Sequence, residues 1–263
     1  MKINHKFQLI KNSFIFRRTL WDMTLRQFKL KYAGSHLGIW WSIITPLILA
    51  LSINFVFSMA FKINTPNYTL FVLAGIVPWL FFTNAITEAA NSFIINSSIL
   101  KQNLFPREFV PISFILANLL NFLVGFIFLL PLFIILNFKV INFLPFLAFT
   151  IMLHLIFIIG LGVLFSIINV FFRDLSHFLS IAFMIWFWAT PIFYSLDMLT
   201  FPSKWICLLN PMSHYVALYR GLLLEAKMPP LTEIVIVSLI SLASLLLGYF
   251  VFSKSEPALL KRI

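Results

Sequence analysis

The side chains able to do chemistry are few and scattered. Among 263 residues there are 8 Asp and Glu, 5 His and a single cysteine, Cys207. No close pair of carboxylates offers an acid and a base. No His-Glu-x-x-His run or cysteine set offers metal ligands, and no GxxxxGK[ST] loop offers backbone amides to a nucleotide phosphate. The serines, His154 and the isolated acids show no nucleophile with a base at readable spacing. One cysteine also excludes an intrachain disulfide. No catalytic residue and no metal site are therefore expected, and any energy used must enter from outside the chain.

Three ionisable residues stand out because of where they lie. His154 is the only histidine well inside an apolar run. Intramembrane ionisable groups are functional candidates, although a neutral imidazole bonded to a neighbouring helix is the favoured reading. Arg173 and Asp174 separate two long apolar stretches. Each would cost roughly 2.5–3.5 kcal/mol at the centre of a membrane helix, so they mark an aqueous turn, where they can pair and cap the next helix. The remaining acids sit at the ends of apolar runs, so the buried carboxylate relay of many proton-driven carriers is missing.

The elements that position these residues are membrane helices. The chain is 61% hydrophobic and 10% charged, with mean hydropathy +1.01, a balance no soluble domain of this size combines with a solvated surface. Continuous, non-alternating apolar runs exclude a transmembrane β-barrel. The expected fold is an all-α polytopic membrane protein with six transmembrane helices, near 39–61, 70–90, 110–136, 144–172, 178–196 and 234–252. These form a transmembrane domain over 33–255, between an N-terminal segment 1–32 and a cytoplasmic tail 256–263.

Three further elements are expected around the spans. Segment 1–32 sets eight basic residues against Asp22, and Phe14, Trp21, Leu25, Phe28 and Tyr32 share one helical stripe, which suits an interfacial helix in the headgroup layer. Its basic side chains could meet an anionic lipid-linked substrate. Residues 91–111 are polar yet carry Ile99, Leu100, Leu104 and Phe105, which predicts a short cytoplasmic docking helix ended by Pro106. Residues 197–230 hold two short apolar pieces hinged at Asn210-Pro211, which predicts an outer re-entrant hairpin. Gly34 and Gly38 suit a tight bend at the membrane edge, and Gly160 and Gly162 close helix packing.

The formal charge of +11 would suggest nucleic acid for a soluble protein. Here the basic residues cluster at membrane edges, so membrane lipid is expected and nucleic acid is not. With both termini in the cytoplasm, 14 of the 19 Lys and Arg face inward and 5 outward, as the positive-inside rule requires. No cleavable leader is expected, because the first apolar run begins only at Ile39.

Five motifs, in order along nearly the whole chain, carry a family resemblance. They are Lys31 to Trp40 with Pro46-Leu47; Ile99-Leu100-Lys101 to Phe105-Pro106-Arg107; Arg173-Asp174; Thr190-Pro191-Ile192-Phe193-Tyr194; and Asn210-Pro211-Met212 with Tyr219-Arg220. Together they resemble the ABC-2 permeases that export bacterial surface polysaccharides, among them the O-antigen, capsule and teichoic-acid exporters.

The resemblance implies a homodimer in the bacterial inner membrane, bound to two copies of a separate ATP-binding subunit that would hold ATP and Mg. No cofactor is then needed in this chain. It implies ATPase docking through Leu100, Lys101, Phe105, Pro106 and Arg107, and an outer gate from Trp205 to Leu224 with Trp205, Asn210, Pro211 and Arg220 as its marked positions. The cargo would be a polysaccharide on its polyprenyl pyrophosphate carrier, passing between the protomers. Sugar rings have apolar faces that flat aromatic side chains can meet without gripping one position. Trp186, Phe187, Trp188, Tyr194, Tyr215 and Tyr219 are the candidates for a channel lining, although with 33 Phe most aromatics must face lipid or core. O-antigen is preferred over capsule or teichoic acid for the short chain. The alternatives are an ABC-2 permease for a small lipid or drug, and an intramembrane enzyme or scaffold.

Overall fold

Proline and glycine, more than hydropathy, set where the helices begin and end. The computed structural model describes residues 16–60, 66–96 and 106–262. Within them the chain forms nine α-helices and three short 3₁₀ turns, with no strand. The helices are α1 (Arg17–Leu30), α2 (Trp41–Ala60), α3 (Tyr68–Ile95), α4 (Phe109–Leu136), α5 (Leu144–Phe171), α6 (Leu175–Ala189), α7 (Ser203–Leu209), α8 (Pro211–Leu223) and α9 (Leu231–Arg262).

Among the described residues, five stretches are long and apolar enough to cross a membrane: Gly38–Phe57, Tyr68–Ile95, Phe109–Leu136, Phe138–Phe171 and Leu231–Leu259. The stretch expected over 178–196 differs. Its helix, α6, has 15 residues and stops at Ala189, about 22 Å at 1.5 Å per residue, short of a hydrocarbon core of about 30 Å. The cause is Pro191. A residue before proline is pushed out of the helical region, and Thr190 is extended at ψ 133°. Other boundaries move outward: α3 continues past residue 90 to Ile95, and α9 begins at Leu231 and runs through the expected tail to Arg262. Of the expected docking helix, 97–105 lies outside the described residues, and with it Leu100, Lys101 and Phe105.

α3 is the hub. Its most apolar stretch is 67% buried, against 11% for α2, and it packs against α2, α4, α5, α6 and α8. α5 and α9 form the closest pair. A Cβ on Gly160 would lie 2.3 Å from the Ser244 backbone, and one on Gly248 would lie 2.2 Å from the Gly160 carbonyl oxygen. Small residues bring these backbones into contact, and Ser241 and Ser244 then donate across the seam to the carbonyls of Leu153 and Phe157. Gly162 instead admits Ile115 of α4 and Ala89 of α3. At the membrane edge Gly34 and Gly38 both adopt positive φ, which turns the chain sharply from α1 into α2. α1 lies along α4, with Thr24 buried and Trp21 left half exposed.

Candidate functional site

Two polar assemblies sit at opposite ends of the helical bundle. At the end that the expected topology puts outside, the outer end, the break after α6 is fastened to α8. Asn210 caps α8 by accepting from the Met212 amide at 2.9 Å, and its Oδ1 also accepts from Trp186 Nε1 at 2.6 Å. Its Nδ2 donates to Thr190 Oγ1 at 2.9 Å and to the Ala189 carbonyl at 3.3 Å. One side chain thus joins the end of α6, the break and the start of α8. Pro211 occupies the first turn of α8, where a missing N–H is harmless.

Between two and three helical turns further on, Arg220 inserts its guanidinium into the same break. It donates to the carbonyls of Pro191 at 2.6 Å, Tyr194 at 3.4 Å, Ile192, and Phe71 of α3 at 3.3 Å. Its Cζ also lies 3.5 Å from the centroid of the Phe71 ring. Gly75 leaves the space, since a Cβ there would stand 3.3 Å from Arg220 Nη2. The break frees backbone carbonyls that helix bonding would have used, and the planar five-donor group of arginine satisfies several at once. Tyr68 of α3 adds a bond from its hydroxyl to the Phe193 carbonyl at 2.6 Å.

The expected aromatic residues divide into three settings. Tyr215 and Tyr219 are fully buried inside the protomer. Tyr215 bonds Ser241 at 2.7 Å and stacks on His154, while Tyr219 lies 3.4 Å from His154 Nδ1. His154 is therefore packed among aromatic rings beside α8. Trp186 and Phe187 are partly buried against Trp79 of α3, and the Tyr194 hydroxyl bonds the Trp188 carbonyl. Trp188 is 59% exposed, and with Phe178, Ile181 and Ile185 it forms an open apolar face along α6. Ile206 and Leu209 of α7 line one groove with Phe178, Ile181 and Ile185, while Trp205 is 58% exposed on the same short helix.

The inner end is held by ion pairs. Lys31, just after α1, meets Glu88 of α3 at 2.7 Å and Asn118 of α4 at 2.6 Å, and Tyr32 bonds Asn121. Arg107, at the start of α4, pairs with Glu256 of α9 at 2.8 Å, while Pro106 stands just before it. Arg173 and Asp174 are exposed and form no ion pair among the described residues. Asp174 sits at the N-cap of α6 without a side-chain capping bond. The turn is instead tied down by Ser176, which donates to Asn91 at 2.7 Å, while Asn169 donates to the Ala90 carbonyl at 2.9 Å.

Comparison with known proteins decides what this bundle is. Residues 18–224 match the ABC-2 type transporter family. The chain belongs to that family. It is 33% identical over 212 residues to an O-antigen export system permease protein RfbA of Klebsiella pneumoniae, covering 78% of this chain and 80% of that one. It is 28% identical over 248 residues to a protein of the same name from Myxococcus xanthus, with 89% and 92% covered. It is 23% identical over 252 residues to the polysialic acid transport protein KpsM of Escherichia coli, with 92% and 95% covered. The ABC-2 permease is a membrane component without an ATPase domain, so a partnering ATPase subunit is implied.

Within this ABC-2 permease, several residues that hold the two ends escaped sequence reasoning. Tyr68, Gly75, Glu88 and Glu256 act across separations of 57 to 149 residues, as the Lys31–Glu88 and Arg107–Glu256 bonds illustrate. One signal was available: Asn118 and Asn121 sit inside an apolar span, where unsatisfied amides are costly, so both had to face partners.

Proposed function

We propose that this chain is the permease subunit of an exporter that moves lipid-linked polysaccharide, of the O-antigen type, across the bacterial inner membrane. The observation that carries the reading is the likeness, over about four fifths of both chains, to permeases whose names state O-antigen export. The working unit is a homodimer with two copies of a separate ATPase, which holds the ATP and Mg. Both termini face the cytoplasm. α6 with the hairpin of α7 and α8 above it counts as the sixth crossing, so that the break at Thr190–Tyr194 falls inside the outer half of the membrane.

The physical support is the open face of α6. Phe178, Ile181 and Ile185 present broad apolar surfaces to the outside of the protomer, and Trp188, whose ring meets Phe187 and Phe193, keeps 59% of its surface open beside them; such surfaces let a sugar polymer slide through many weak contacts. Asn210 and Arg220 keep the hairpin above that face in one position, where it serves as the outer gate. Docking of the ATPase falls to the segment between α3 and α4, with Leu100, Lys101, Phe105, Pro106 and Arg107.

A capsule-type cargo is the second reading. It is favoured by the relative named for polysialic acid transport, which matches across 92% of this chain. The test is to delete the gene in its host and quantify carrier-linked polysaccharide on each side of the inner membrane. Internal accumulation with loss at the surface is expected, and serology of the lost polymer separates O-antigen from capsule. Normal surface glycan, with no second permease present, would overturn export.

A further inference from the structure

A cavity of about 430 Å³ opens at the inner end of the bundle, between the turn after α1 and helices α2, α3 and α4. That size is at the small end of ligand sites. Its walls combine two chemistries. Trp41, 45% exposed, gives a flat apolar surface, the stacked pair Phe81 and Phe122 gives apolar ring edges, and Thr45, Asn84 and Asn121 give neutral polar groups. No hydrogen bond within the described residues engages the Asn84 amide, the Thr45 hydroxyl or the Asn121 amide nitrogen, so these atoms are presented to whatever enters.

The charge of the site restricts the ligand. Its only cation, Lys31, is already held by Glu88 at 2.7 Å and Asn118 at 2.6 Å. An anion placed beside Lys31 would also face the Glu88 carboxylate, so a phosphate gains little. Burial raises the Tyr32 phenol above its ordinary value, which keeps it a neutral hydroxyl. Free amides and hydroxyls without net charge, set beside aromatic surfaces, suit a neutral ligand rich in hydroxyl groups.

We propose that this cavity binds a neutral pyranose unit of the carrier-linked glycan at the inner membrane face, before translocation. The proposal rests on the export reading above. Glu88 lies seven residues before the end of α3, which leads directly into the segment between α3 and α4. Occupancy of the cavity is thus felt on the helix that carries the docking segment.

The test is photo-crosslinking in host cells that make their own carrier-linked glycan. Trp41→p-benzoylphenylalanine places the probe at the rim of the cavity, and Leu239→p-benzoylphenylalanine places a control on an exposed face of α9. The expected result is an adduct at position 41, and none at 239, that reacts with antiserum to the host's surface glycan and vanishes in a host lacking the first glycosyltransferase. Adding Asn84→Leu should lower the adduct yield about tenfold, since a hydroxyl then loses its partner, and Asn84→Gln should restore part of it. Phospholipid adducts alone at position 41, in cells whose export needs this chain, would overturn the sugar site and leave the export reading standing. An unchanged yield with Asn84→Leu would overturn hydroxyl recognition by this amide. Glycan export that continues without the chain would overturn both readings together.

Discussion

The clamp around the break at the outer end of this permease and the ion-pair clamps at its inner end work by different means. At the outer end, Asn210 and Arg220 bond neutral partners, mostly backbone carbonyls, and both are buried. At the inner end, Lys31–Glu88 and Arg107–Glu256 are ion pairs whose side chains keep 17% to 36% of their surface in solvent. Buried bonds to fixed carbonyls permit one geometry, because each donor lost leaves a desolvated acceptor. Half-exposed ion pairs exchange with water at little cost. The outer hairpin is therefore built to move as one body with the end of α6, and the inner end to rearrange at lower cost.

Five substitutions at three positions test that contrast first. Arg220→Met leaves four carbonyls without their donor, and should cost about 4 kcal/mol at about 1 kcal/mol each. Thermal unfolding of the detergent-purified permease measures it. Arg220→Lys should rescue little, because an ammonium lacks the planar fork; a near-normal Lys variant would show the outer clamp to be less exacting than its geometry. Gly160→Leu drives a side chain into the Ser244 backbone and should cost about 3 kcal/mol, giving a reference for damage to the frame that both ends share. Asn210→Ala should cost about 2 kcal/mol, and Asn210→Asp, which keeps the acceptor but loses the donor, should fall between it and the native chain.

The smallest effect belongs to the inner end. Glu256→Arg should cost less than about 1 kcal/mol and weaken ATPase co-purification by no more than about fivefold. Combining it with Arg107→Glu should restore the complex, and raised salt should mimic the single variant. A loss of stability as large as that of Arg220→Met would erase the proposed difference between the two ends.

Much of this plan was legible in the sequence, and the failures share a cause. The hinge at Asn210-Pro211 could be read because cap and first-turn proline are local signals. The bend at Gly34 and Gly38 was likewise local. The end of α6 was misplaced because hydropathy counts Ile192 and Phe193 as membrane residues without registering that Pro191 has already stopped the helix. Tyr215 and Tyr219 were expected among channel aromatics, and the structure packs both into the protomer core: α8 is buried on nearly every face, and no periodicity distinguishes a face turned to lipid from one turned to α5. The Arg107–Glu256 pair joins residues 149 positions apart, so it could not be anticipated from either neighbourhood.

One long helix connects the two ends. Near its start, Glu233 of α9 bonds His214 of α8 at 2.8 Å, and His214 in turn donates from Nε2 to the Leu208 carbonyl at 2.9 Å. Near its finish, Glu256 holds Arg107. Between them α9 is an unbroken strut, about 35 Å from Glu233 to Glu256 at 1.5 Å per residue, and welded along its middle to α5 through Gly160 and Gly248. A strut of fixed length cannot be stretched or shortened by a tug on the cytoplasmic side. Force arriving there moves the strut as one piece, so a displacement at Glu256 is delivered undiminished to the His214 bond at the other end.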